Sequence, residues 1–126
     1  MNRKTLFKKL NHLCLEMDEL YNINSGGCCY VAATLAENLE RFNIPFSVIV
    51  YDLCGLHYAI KVSDRYINRC DYSYKEITKI LDITSKELFK YYYNYNRWNT
   101  RYSRRWNLIV NTRIKHLFNI YENSRT

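Results

Sequence analysis

The sequence predicts an α+β domain, with helices first, a small antiparallel sheet in the middle and helices again at the end. Three observations carry that expectation. Apolar residues recur every three to four positions over 3–21, 28–42 and 103–121. Between these stretches, 46–70 reads as short strands separated by polar turns. Finally, 126 residues suffice for one sizeable core and are cramped for two. A single domain over 1–126 follows, with a core in 1–85 and a basic, Tyr-rich helical extension in 86–126.

The first helix is marked by Leu6, Leu10, Leu13, Met17 and Leu20, spaced four, three, four and three apart. Asn22 to Gly27 is a loop by composition. A second helix runs from Cys28 to Phe42, with Cys28, Ala32, Leu35, Leu39 and Phe42 on one face. Asn43-Ile44-Pro45 ends it, because the residue before a proline is pushed out of the α region. Strands follow at 46–51, 57–62 and 65–70, with a turn or loop around Gly55 and a polar break at Ser63-Asp64. Ser73-x-x-Glu76 and Thr84-x-x-Glu87 match capping boxes, which predicts helices over 74–81 and 85–95. Trp106, Ile109 or Val110, Ile114, Leu117, and Ile120 or Tyr121 mark the last helix over 103–121.

Composition narrows the function classes. The longest apolar run, 44–51, falls far short of the roughly 20 residues that a membrane-spanning helix needs, and no signal-peptide core follows the basic N-terminus. Five cysteines without a C-x-x-C pair argue against a disulfide framework and for a reducing, cytoplasmic setting. Thirteen tyrosines, fourteen asparagines and one proline are unusual, but heavy use of Asn, Tyr, Ile and Lys is also what an AT-rich genome produces, so it says little about function. The formal charge of +7 lies wholly in 86–126, where nine Lys and Arg face Glu87 and Glu122, while 1–85 sums to zero. Within that segment, 91–106 interleaves Tyr and Trp with Arg, the composition used for single-stranded nucleic acid or for an acidic protein partner. The plainer reading is a helix whose rings pack on the core beneath solvated cations.

The stretch 25–33, Ser-Gly-Gly-Cys-Cys-Tyr-Val-Ala-Ala, places a cysteine at a helix N-terminus. There the helix dipole and unpaired N–H groups favour a thiolate, the nucleophilic form. A thiol becomes a working nucleophile when an imidazole takes its proton and a third group fixes the imidazole. His57 opens a predicted strand and Asn68 lies on the next. If Val62 and Arg65 flank a tight turn, cross-strand partners sum to 127, so Asn68 faces Ala59 and Cys70 faces His57, all on one side. Asn68 then reaches the His57 ring diagonally, and Asp71 is the fallback orienter.

Cys28-x3-Ala32, Leu39 and Ile44-Pro45, then 57–62 (His-Tyr-Ala-Ile-Lys-Val) and Tyr66-Ile67-Asn68, resemble the papain-like and transglutaminase-like cysteine enzymes over residues 25–71. In that superfamily a G-x-C-x-x-x-A helix ends at G-I-P, and an H-x-W-x-x-V strand precedes a strand bearing Asp or Asn. Here Asn43 stands for the Gly and Tyr58 follows the His directly, in place of a Trp two residues on. The resemblance implies a papain-like core, Cys28 as nucleophile, His57 as general base and acid, and Asn68 as orienter. It also implies an oxyanion donor at the Cys28 N–H, with Asn22 or Asn24 as a side-chain donor. The implied activity is hydrolysis of a peptide or isopeptide bond in a protein or peptide substrate, with no cofactor. Cys29 is the rival nucleophile. Cys54-x-x-His57 with Cys70 and Cys28 or Cys29 has the donors of a zinc site, but structural zinc sites usually show two close pairs. Cys14, His12 and His116 read as structural.

Overall fold

The computed structural model describes residues 1–52, 56–69, 79–95 and 101–125. These form four helices and a four-stranded antiparallel sheet, so the chain is α+β. The elements are α1 (Arg3–Tyr21), α2 (Cys28–Arg41), β1 (Ser47–Asp52), β2 (Leu56–Val62), β3 (Arg65–Ile67), β4 (Lys79–Leu81), α3 (Ser85–Tyr95) and α4 (Arg101–Asn123). The sheet order is β3-β2-β1-β4. No helix among the described residues is long and apolar enough to cross a membrane.

α1 starts where the Asn2 side chain accepts from the Thr5 N–H at 2.8 Å, and it stops at Asn22, whose φ of 56° is left-handed. It buries Leu6, Phe7, Leu10, Cys14 and Met17. Leu20, expected on that face, is 58% exposed, because α1 leans on α4 and β3 along the Cys14 stripe.

α2 is the central element and touches β2, α3 and α4. An amphipathic helix with one apolar face was expected, yet almost every residue from Cys28 to Leu39 is buried. Its buried polar groups bond within the helix, Thr34 Oγ1 to the Tyr30 carbonyl and Asn38 Nδ2 to the Thr34 carbonyl, both at 2.9 Å. At its end the Asn43 N–H donates to the Glu40 carbonyl and the Ile44 N–H to the Leu39 carbonyl, a Schellman closure with Asn43 at φ 55°. Asparagine tolerates that left-handed position, so the turn closes without a glycine.

Ser63 and Asp64 make a two-residue turn, and the pairs Val62 with Arg65, Lys61 with Tyr66 and Ile60 with Ile67 give the register expected from the sequence, but β3 stops at Ile67, so Asn68 does not continue the strand opposite Ala59 as expected. β1 pairs with β2 along its whole length, Tyr51 opposite His57. Residues 79–81 correct the sequence reading. They were expected to close a helix over 74–81 but form β4, with Leu81 opposite Val48 and Ile80 opposite Ile49. The outer edge of β1 carries backbone groups that need partners beside the fully buried Val48 and Ile49, and a strand supplies them. The capping-box residues Ser73 and Glu76 lie outside the described residues.

Val48, Val50, Ile60, Val62 and Ile67 share one core with all four helices, while Ile49, Tyr51 and Ala59 form a smaller cluster on the opposite sheet face. In α3, Thr84 caps the helix through the Glu87 N–H. The Ser85 N–H and hydroxyl both donate to the Glu40 carboxylate, tying the end of α2 to the start of α3. α4 buries Val110, Ile114, Phe118 and Tyr121, which settles the two pairs of residues left open by spacing.

Candidate functional site

Gly27 is the N-cap of α2 and packs so closely on the Ile23 carbonyl that a Cβ there would overlap it. With Gly26 at φ 94°, the glycine pair lets the chain turn abruptly into the helix and sets Cys28 as its first residue. Across from it, the two-residue turn makes Val62 and Arg65 a hydrogen-bonding pair, so Ile60, Tyr58 and Leu56 aim their N–H and C=O groups at the same edge of β2. β3 ends at Ile67, and Asn68, at φ 62°, turns the chain away. The Cys28 thiol occupies the edge beyond. Its Sγ is 3.6 Å from the Leu56 carbonyl, and the Tyr58 N–H points at it. Cys28 and Cys29 line a cleft of about 250 Å³ with Leu56, Tyr58, Tyr91 and Tyr92.

His57 sits between the two residues whose backbone holds Cys28. Its side chain lies on the sheet face shared with Tyr51, whose ring is 6.1 Å away between centroids. Its Nε2 is 2.8 Å from the backbone carbonyl of Asn68. A carbonyl only accepts, so Nε2 carries the hydrogen, and in the neutral ring Nδ1 carries the lone pair. Asn68 thus meets the His57 ring through its main chain, where a side-chain contact was expected. Its side chain makes a reciprocal amide pair with Asn24, at 3.1 and 3.0 Å, and its N–H donates to Asn11 Oδ1 at 2.9 Å. The Asn24 amide, expected at an oxyanion hole, is directed at Asn68; Asn22 serves as the C-cap of α1.

The structure therefore brings His57 and Asn68 into contact and sets Cys28 against the backbone flanking His57. Among the described residues, the hydrogen bond of the thiol runs to β2 rather than to the His57 ring. No family model matches the sequence, and no match was found among curated proteins or among solved structures. The site is consequently read from its own geometry.

Burial dominates the electrostatics. It pushes the Cys28 thiol above its ordinary value, only partly offset by the backbone N–H groups of Tyr58, Cys29 and Cys28 itself. This corrects the expectation of a resting thiolate, because loss of hydration at 6% exposure outweighs the helix terminus. Cys29 is pushed up to about 12, by burial first and then by the adjacent Cys28 charge, and its Sγ lies 3.5 Å from the Leu88 carbonyl. Burial pulls the His57 imidazole down, opposed by the Asn68 carbonyl and by the Asp18 carboxylate. The ring is therefore neutral at neutral pH and able to accept a proton.

Asn11 and Asp18 were not singled out from sequence. Asp18 accepts the Asn24 N–H at 2.9 Å and Asn11 meets Asn68 across 57 residues of chain. Helical periodicity reports apolar faces only, so nothing in the α1 pattern marks these two. Cys54, Cys70 and Asp71 lie outside the described residues, and with them most of the zinc alternative and the fallback orienter. Among the described residues no cluster of three or more His, Cys, Asp or Glu side chains could hold a metal ion.

Proposed function

We propose that the chain is a cysteine hydrolase with a papain-like or transglutaminase-like core, cleaving a peptide or isopeptide bond by acyl transfer through Cys28. The observation that carries this reading is the anchoring of His57 Nε2 on the Asn68 carbonyl beside a helix-initiating thiol. It selects the tautomer whose Nδ1 is basic. The element order supports it too: a cysteine helix, then a histidine strand, then the strand leading into Asn68. In the reaction His57 takes the proton as Cys28 attacks the carbonyl carbon, and returns it to the leaving amine; water then releases the acyl group by the same route. Because the resting thiol is protonated, His57 acts as a general base and not as half of a preformed ion pair.

The decisive experiment is labelling by an electrophilic thiol probe at neutral pH. Cys28→Ala is expected to remove the His57-dependent part of the labelling and Cys29→Ala to retain it. Unchanged labelling of Cys28→Ala, or labelling confined to Cys29, overturns the assignment.

A second reading, a non-catalytic protein of the same fold that binds single-stranded nucleic acid, is favoured by one observation. α3 leaves Tyr91 and Tyr93 exposed beside Lys90 and Lys86, offering stacking faces between cations. Binding of single-stranded oligonucleotides that weakens steeply with salt supports it, and salt-independent or absent binding removes it.

A further inference from the structure

A second cleft, of about 510 Å³, opens at the other end of the sheet. It lies where the N-terminal turn of α1, the Ile44-Pro45 segment after α2 and the Ser63-Asp64 turn come together. By strand rise this is roughly 20 Å along β2 from His57. Its size is that of a small-molecule site. The buried part of the lining is apolar, Phe7 and Ile44, with Pro45 exposed beside them, and the outer part carries Arg3, Lys4 and Arg65. None of these three cations pairs with a carboxylate among the described residues, although Asp64 also lines the cleft. Three positive charges against one negative leave a local excess of two in a place where the charge balance of residues 1–85 predicts none.

Two guanidinium groups and an ammonium on the outer part match a tetrahedral dianion better than a carboxylate, since each Arg presents a two-pronged donor and Lys a compact charge. A phosphomonoester carries a charge near −2 at neutral pH, equal and opposite to the excess. The apolar part of the lining has the complementary preference for a flat or aliphatic body. We propose that this cleft binds a small organic phosphomonoester, its phosphate held between Arg3, Lys4 and Arg65 and its apolar body lying on Phe7, Ile44 and Pro45. The proposal is independent of the chemistry assigned to Cys28.

The test is a titration of the full chain, by calorimetry or amide chemical shifts, with phenyl phosphate, inorganic phosphate and phenol at one ionic strength. Phenyl phosphate is expected to bind saturably and more tightly than either fragment, with shifts at Phe7 and at the Ser63-Asp64 turn. Arg65→Glu is expected to weaken it about tenfold or more, as loss of a charge-assisted contact does. Asp64→Asn is expected to tighten it several-fold, a gain that a misfolded variant cannot imitate. Absence of saturable binding, inorganic phosphate or phenol binding as tightly as phenyl phosphate, or no change in Arg65→Glu and Asp64→Asn, each overturns the proposal.

Discussion

His57 keeps its hydrogen on Nε2 because the Asn68 carbonyl, 2.8 Å from that nitrogen, is an acceptor, and that carbonyl is aimed by a left-handed residue. The role of Asn68 therefore divides into two parts that mutation separates. Asn68→Gly keeps the carbonyl and accepts φ 62° without strain, whereas Asn68→Ala must adopt it at a cost of about 1–2 kcal/mol. Both lose the amide pair with Asn24. Thermal melts are expected to rank Ala below Gly, and Asn68→Gly is expected to retain most of the Cys28 labelling rate. A glycine variant as slow as His57→Ala would return the orienting role to the side chain. The thiol makes a second prediction at this scale. Burial raises its pKa, so the labelling rate should climb with pH through and beyond the ordinary thiol value of 9.0. A plateau already reached below pH 7 would mean a preformed thiolate and contradict the burial argument.

At the level of elements, Gly27 carries more of the site than either cysteine. A Cβ at Gly27 runs into the Ile23 carbonyl, so Gly27→Ala has to displace the loop or unwind the first turn of α2. The expected cost is about 1–3 kcal/mol in chemical denaturation, together with loss of Cys28 labelling, since the thiol leaves the β2 edge. A variant with wild-type stability and labelling would show that the glycine is incidental. The helices were legible from sequence because their signals are local: the stripe in α1, the Asn43-Ile44-Pro45 stop and the Thr84 capping box each lie within a few residues. The β2–β3 register was legible for the same reason, a two-residue turn fixing parity. β4 was not, because Lys79-Ile80-Leu81 is a strand only by virtue of β1, some thirty residues earlier. The site divided along the same line. Cys28, His57 and Asn68 stood out by residue type and order, while Asn11 and Asp18 enter it only once α1 lies across β3.

For the molecule as a whole, the question is whether the basic segment after residue 85 is an appendage or part of the body. Leu88, Tyr92, Val110, Ile114, Phe118 and Tyr121 belong to the same core as Leu6, Leu35 and Val48. Aromatic contacts stitch the halves together: Tyr30 meets Phe89 and Tyr92 at 5.6 and 5.2 Å between centroids, and Phe42 stacks on Phe118 at 5.7 Å. The α1–α4 contact adds Arg113 Nη2 donating to the Tyr21 hydroxyl at 3.1 Å. Phe118, fully buried where α4 crosses the end of α2, makes the sharpest probe of this unity. Phe118→Ala removes a ring from a packed core and is expected to cost about 3–5 kcal/mol. Because α4 covers the helix that positions Cys28, that loss should appear in the global unfolding transition. Helical ellipticity, tyrosine and tryptophan fluorescence and Cys28 labelling should all shift together to lower denaturant. An independent extension behaves differently: the variant would melt in two steps, with α4 lost first and the thiol still protected until the second.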